Sequence, residues 1–185
     1  MGTIADVAVK VKVLKEDFPK TITDTLKEST PLIKSMIQDQ LMAGVDENGK
    51  PLKPSYLDDP YFGTVKSGKR AGQKRSDRQR KFLANLYMEW KEKLYPPAST
   101  FLLGLRARSI ETPNLIIIGP YHQSITPRIV GDKIVTESIG FYAGDDIEKK
   151  YGSSHLGLTK EARAHLVEYR LTPAITNLLK ELGFK

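Results

Sequence analysis

At the start of the chain Val7, Val9, Val11 and Val13 are separated by Ala8, Lys10 and Lys12, a period of two that predicts a strand over residues 1–15. From Asp17 the period lengthens. Phe18, Ile22 and Leu26 fall on one helical face, with Pro19 near the first turn, where its missing N–H is harmless. Thr30 and Pro31 supply an N-cap and a first helical residue. Leu32, Ile33, Met36, Ile37, Leu41 and Met42 then recur at helical spacing, and Gly44 suits the position just past the helix end. The expectation is a helix pair or one long kinked helix.

Periodicity disappears over 44–76, a polar stretch with Gly49, Pro51, Pro54, Pro60, Gly63, Gly68 and Gly72, punctuated by Tyr56, Tyr61 and Phe62. Connections this long are generally functional or disordered, so an extended arm is expected. Ser76 or Asp77 caps a helix in which Phe82, Leu83, Leu86, Trp90 and Leu94 line one face, and Tyr95, Pro96 and Pro97 stop it. Residues 101–110 fit a short helix or a strand equally well. Leu115, Ile116, Ile117 and Ile118 predict a strand between Pro113-Asn114 and Gly119-Pro120. Residues 125–130 and 133–139 predict a hairpin around Gly131-Asp132, with Pro127 making the first strand an edge. A short helix over 146–151 follows the segment 141–144. Thr159 caps a final helix with Ala162, Leu166, Tyr169, Leu178, Leu179 and Leu182 inward, kinked at Thr172-Pro173. The pattern is one α+β domain over 1–185: a long N-terminal helix or helix pair, an extended basic arm, a small mainly antiparallel sheet and a C-terminal helix. No internal repeat is present.

Composition narrows the class. The chain has 185 residues and a hydrophobic fraction of 39%, enough for a modest core. No run approaches the ~20 apolar residues of a membrane span. The opening residues lack the basic and apolar regions of a secretory signal, and Asp6 stands where myristoylation wants Ser or Thr after Gly2. The absence of cysteine excludes disulfides, thiolate nucleophiles and Cys-based zinc sites. Charge is concentrated: Lys66, Lys69, Arg70, Lys74, Arg75, Arg78, Arg80 and Lys81 stand against the single acid Asp77, a surplus equal to the whole net charge of +7. This segment suits phosphate contact with steep salt dependence, or an acidic protein neighbour. Its Gly, Ser and Gln content equally suits a solvated tract, and without interleaved aromatics it is not a single-strand stacking platform.

Catalytic chemistry finds little support. His122, His155 and His165 lie on different elements and outside any metal-ligand spacing, and structural or solvated roles are expected for His155 and His165. Neither a nucleophile elbow nor a phosphate-binding glycine loop occurs. Asp145, Asp146 and Glu148 are better read as acids opposing the dipole and capping the start of a short helix that Lys149 and Lys150 end. Asp46-Glu47-Asn48-Gly49 opens like a calcium loop, but Pro51 and Leu57 occupy the sixth and twelfth positions where glycine and glutamate are required. A nuclease-type metal site would need Asp58, Asp59, Asp145, Asp146 and Glu148 to converge.

Two stretches carry a resemblance. Residues 38–56, QDQLMAGVDENGKPLKPSY, and 142–162, YAGDDIEKKYGSSHLGLTKEA, resemble segments of the virion-morphogenesis and tail-completion proteins of tailed bacteriophages. In those proteins a first long helix is followed by G-x-D-x-x-G-x-P-L and a tyrosine. A short helix with I-E-x-x-Y-G precedes L-G-L-T and the last helix, and β-strands lie between, as over 115–139 here. Many members carry Leu-x-x-Thr-Gly before the sheet; residues 94–100 contain no Thr-Gly, so the resemblance does not extend to subfamily or ring size.

The resemblance implies a non-enzymatic neck protein without cofactor. It would assemble with itself as a ring at the head–tail junction of the virion, after assembly in the host cytoplasm. Its neighbours would be adjacent neck, connector or tail proteins, with DNA passing through the lumen and no membrane involved. The basic arm would face the lumen or an adjacent protein. The alternative is a nucleic-acid-binding module that docks the 66–81 arm on duplex DNA.

Overall fold

The structure, a computed structural model, describes residues 4–131 and 133–184. Gly2 and Asp132, invoked above for acylation and the hairpin turn, lie outside the described residues. The chain is α+β, with a two-stranded antiparallel sheet set among helices.

The first helix, α1 (Ile4–Glu28), is continuous, so of the strand expected over 1–15 the described residues 4–15 are helical instead. The only sheet among the described residues pairs two later strands, and a strand needs a neighbour for its backbone groups. A helix satisfies them within the segment, at a small propensity loss for each valine. Pro19 lies inside α1, not at its start. The second helix, α2 (Thr30–Met42), follows after Ser29, so the two form a pair. Ser29 occupies the cap position expected for Thr30. Its hydroxyl does not cap; it donates to Thr25 O at 2.7 Å and accepts from Arg170 Nε at 3.1 Å.

α2 is the centre of the core: Ile33, Met36, Ile37 and Leu41 are fully buried. It ends as its sequence predicts. Gly44 takes φ 67°, and the N–H groups of Gly44 and Val45 donate to Leu41 O and Gln40 O, the paired bonds of a glycine-terminated helix. A Cβ on Gly44 would also sit 2.7 Å from Pro113 O. Residues 44–76 contain no strand and only a short 3-10 turn, Pro60–Gly63, yet Leu52, Tyr56 and Phe62 are buried. The stretch therefore lies on the body as far as Phe62, and the exposed excursion comes later.

Ser76 caps α3 (Asp77–Leu94): its hydroxyl accepts from Gln79 N, and the Gln79 side chain accepts from Ser76 N. Residues 101–110 form neither a helix nor a strand. The strand expected at 115–118 is also absent. Asn114 Oδ1 accepts from Ile116 N, and Leu115 adopts φ 52°, a left-handed turn that ends any extended run. After α4 (Pro120–Ser124), strands β1 (Ile125–Val130) and β2 (Lys133–Ser138) pair antiparallel with Ile125 opposite Ser138. β1 lies against α2 and turns Ile125 fully into the core.

α5 (Gly144–Tyr151) carries Asp145 and Asp146 in its first turn, but neither side chain makes a capping bond. Thr159 does cap α6 (Lys160–Leu166), accepting from Ala162 N. The final helix then passes through a π-helical turn, Val167–Leu171, into α7 (Thr172–Glu181). The irregularity thus precedes Pro173, whose ring clashes with the preceding turn and whose N–H is missing. Tyr169, expected inward, is 58% exposed on that turn. α7 packs along α1.

The two stretches at 38–56 and 142–162 meet. Gln40, fully buried, donates to Gly157 O and accepts from Thr159 N, both at 2.7 Å, while Glu47 N donates to Ser154 O at 2.9 Å. A Cβ on Gly157 would fall 2.8 Å from that of Glu47, so this junction closes only around glycine.

Candidate functional site

Three surfaces among the described residues bear on function. The first is the basic segment. Val65 N donates to Gln73 O, Gly72 N to Val65 O, and Thr64 pairs with Lys74, so residues 64–74 double back as a short excursion. Arg75 anchors its base through Nη1, which donates to Phe62 O at 3.2 Å and to Thr64 O. Lys66, Lys69, Arg70, Lys74, Arg78 and Lys81 are exposed; Arg75 and Arg80 are half-buried. Lys66 leans over the Tyr61 ring at 5.1 Å, and Arg80 Nε lies 3.8 Å from Asp77. The eight predicted residues therefore divide. Six cations are presented to solvent, Arg75 is committed to backbone carbonyls, and Arg80 turns toward the helix.

The second surface is the outer side of α3. Phe82, Leu86, Trp90 and Leu94 share a face, as their spacing predicts, but it is not the buried one: their exposures run from 44 to 61%. The inner face is formed by Ala84, Met88 and Lys91. Tyr87, between the two faces, meets Tyr56 edge-on at 5.1 Å and Phe62 at 5.6 Å, which holds α3 against the 3-10 turn.

The third is a cleft of about 770 Å³ walled by Tyr56, Phe62, Tyr87, Tyr121, Phe141 and Tyr151. Ile118 and Tyr142, 81% and 96% exposed, stand at its rim beside Tyr61 and Ile117. Burial holds the phenols of Tyr56, Tyr121 and Tyr151 well above their ordinary pKa. One wall carries Asp59, nearly buried, whose Oδ1 accepts from Tyr61 N and whose Oδ2 pairs with Lys150. The opposite feature is Lys91, only 1% exposed. Its ammonium sits 5.0 Å over the Tyr95 ring and makes no hydrogen bond or ion pair among the described residues. Burial, with the nearby Arg108 guanidinium second, lowers it from 10.5 to about 8. Arg108 gives no relief, because its donors go to the carbonyls of Tyr95, Ser109 and Thr112.

The residues considered for chemistry are dispersed. His155 is fully buried; its Nδ1–H donates to Gly152 O, so Nε2 accepts from the Tyr121 hydroxyl. His122 Nε2–H donates to Asn114 O at 2.9 Å. Burial lowers both imidazoles, favouring the neutral form. The His165 ring lies tilted against that of Tyr169, with centroids 4.6 Å apart. Asp46 Oδ1 accepts from Asn48 N and Lys50 N, closing a turn from within. Asp58 bonds Ser55, and Asp59 is held by Lys150. Among the described residues no group of three His, Asp or Glu side chains is placed to hold a metal ion.

Sequence reasoning missed the cleft and Lys91. A lysine on a polar-looking helix reads as surface, and the aromatics come from segments as far apart as Tyr56 and Tyr151. The one available signal was the spacing of Ala84, Met88 and Lys91, which marks a second, narrower face on α3. No family model, curated protein or solved structure matches the chain.

Proposed function

We propose that this chain is a structural subunit of the phage neck or tail-completion type, which assembles with copies of itself as a ring at the head–tail junction. The observation that carries the reading is the row of Phe82, Leu86, Trp90 and Leu94 left outside on α3. Scattered exposed apolar residues are ordinary, but an aligned row containing tryptophan and phenylalanine has the make-up of an association surface. Exposed Ile4, Val7 and Val11 fall on one side of α1 and add a second apolar face. Two different faces suit heterologous contacts, which close into rings. The direct packing of 38–56 on 142–162 supports treating the two resembling stretches as one structural unit.

Native mass of the purified chain at low and high salt, with and without DNA, tests the proposal. The expected result is a discrete multimer that Trp90→Ser with Leu86→Ser reduces to smaller species. A wild-type monomer under all conditions overturns it. The six exposed cations on and beside the 64–74 excursion favour one second reading, a duplex-binding module. That reading predicts a monomer that shifts with DNA at low salt and releases it steeply as salt rises. Charge reversal belongs at Lys69, Arg70, Lys74 and Arg78; Arg75 is unsuitable because its guanidinium holds the excursion's base.

A further inference from the structure

The wall of the aromatic cleft contains a charge without a partner. Taking an ammonium out of water costs several kcal/mol unless an anion or hydrogen-bond acceptors replace the water. Lys91 is 1% exposed, lines the cleft and has no such partner among the described residues, only the Tyr95 ring. Each neighbouring alternative is already committed. The Asp59 carboxylate belongs to Lys150 and Tyr61 N, and the carbonyls of Tyr95 and Thr112 accept from Arg108. The charged group that acts on Lys91 is the basic Arg108, and the buried His122, favoured in its neutral form, supplies no anion. An anion entering the cleft would meet three unsatisfied N–H donors in a low-dielectric setting, where a charged hydrogen bond is at its strongest.

The rim identifies the carrier of that anion. A small acid held at the wall would leave Ile118 and Tyr142, at 81% and 96% exposure, bare beside it. A polypeptide laid along the cleft covers wall and rim together, in the manner of aromatic-lined grooves that receive extended segments. Tyrosines around an enclosed cation also have the composition of an interface hot spot.

We propose that the cleft seats an extended segment of a partner protein, and that an aspartate or glutamate of that segment, flanked by apolar residues, pairs with the Lys91 ammonium. This makes Lys91 the determinant of an acidic anchor, and Tyr142 with Ile118 the apolar clamp on either side. The inference does not rest on ring assembly, because the cleft is complete within one chain.

Selection of a random dodecapeptide library on the purified full chain tests it. Enriched peptides are expected to share one acidic position between apolar or aromatic residues. The synthetic form of the most enriched peptide should change the fluorescence of Trp90, the chain's single tryptophan, whose ring lies 5.5 Å from Tyr87 of the cleft wall. Changing its acid to the amide should weaken binding by about tenfold or more. Lys91→Met should weaken the parent peptide by a similar factor and the amide peptide hardly at all. Tyr142→Ala, at a fully accessible position, should weaken both peptides and serves as the test should Lys91→Met fail to fold. Enriched peptides without an acidic position, equal binding to Lys91→Met, or no effect of Tyr142→Ala overturns the proposal. Binding of indole-3-acetate at the cleft with no peptide enriched also overturns it, in favour of a site for a free small acid.

Discussion

α2 and α3 are both amphipathic, and the fold treats them in opposite ways. In α2 the periodic apolar residues Ile33, Met36, Ile37 and Leu41 are fully buried, because α1, β1 and α6 surround that face. In α3 the apolar row from Phe82 to Leu94 is outside, and the inner face buries a lysine. Among the helices and strands α3 packs chiefly on the 3-10 turn at Pro60–Gly63, and Phe62 of that turn, with Tyr56 ahead of it, engages Tyr87 in place of Leu86 or Trp90. Periodicity therefore defines which face gains from cover, and tertiary structure decides whether this chain supplies the cover. α3 therefore shows solvent an apolar row and turns a lysine inward, the reverse of α2.

The largest expected effect lies on the α2 side. Ile37→Ala removes a fully buried side chain and should lower unfolding free energy by about 2–5 kcal/mol, read from urea denaturation. An equal loss for Leu86→Ala in a dilute sample would break the comparison.

Next comes Lys91→Met, which should stabilise the chain by about 1–3 kcal/mol at neutral pH, since it keeps the packing and removes the buried charge. The pH dependence follows from the same lysine. With its folded pKa near 8 and its ordinary value 10.5, the folded state releases the proton first as pH rises. Wild-type stability should therefore increase between those two values, and this slope should be missing in Lys91→Met. Above the ordinary tyrosine range the sign reverses, because buried Tyr56, Tyr121 and Tyr151 keep protons that the unfolded chain releases. On the acid side, His122 and His155 resist protonation when folded, so stability should fall as pH drops through and below 6.5.

A smaller effect is expected at the start of α3. Ser76→Ala removes the cap on Gln79 N and should cost about 1 kcal/mol. The smallest is Leu86→Ser, which should leave monomer stability within ~0.5 kcal/mol while reducing self-association, measured by native mass. A large stability loss there would mean that the row is covered within the chain after all.

Features set by a few neighbouring residues were legible. The Gly44 helix end, the Ser76 and Thr159 caps, and the pairing of β1 with β2 all depend on local backbone chemistry and a short-range pattern. Segments whose conformation needs a distant partner were not. Val7 to Val13 and Leu115 to Ile118 carry strand-like residues, but no third strand accompanies β1 and β2 among the described residues. The first stretch becomes helix, and the second turns at Leu115 and leaves Ile118 on the cleft rim.

The sequence by itself determined the α+β class, the helix end at Gly44, the caps at Ser76 and Thr159, the hairpin and the concentration of positive charge at 66–81, because each is written in contiguous residues. Tertiary structure alone decided that Arg75 faces carbonyls, that the apolar row of α3 faces solvent, and that Lys91 is enclosed without an acid. Those outcomes depend on which distant surfaces meet. A side chain's charge and polarity are properties of its own residue, whereas its burial and its partners belong to the assembled fold.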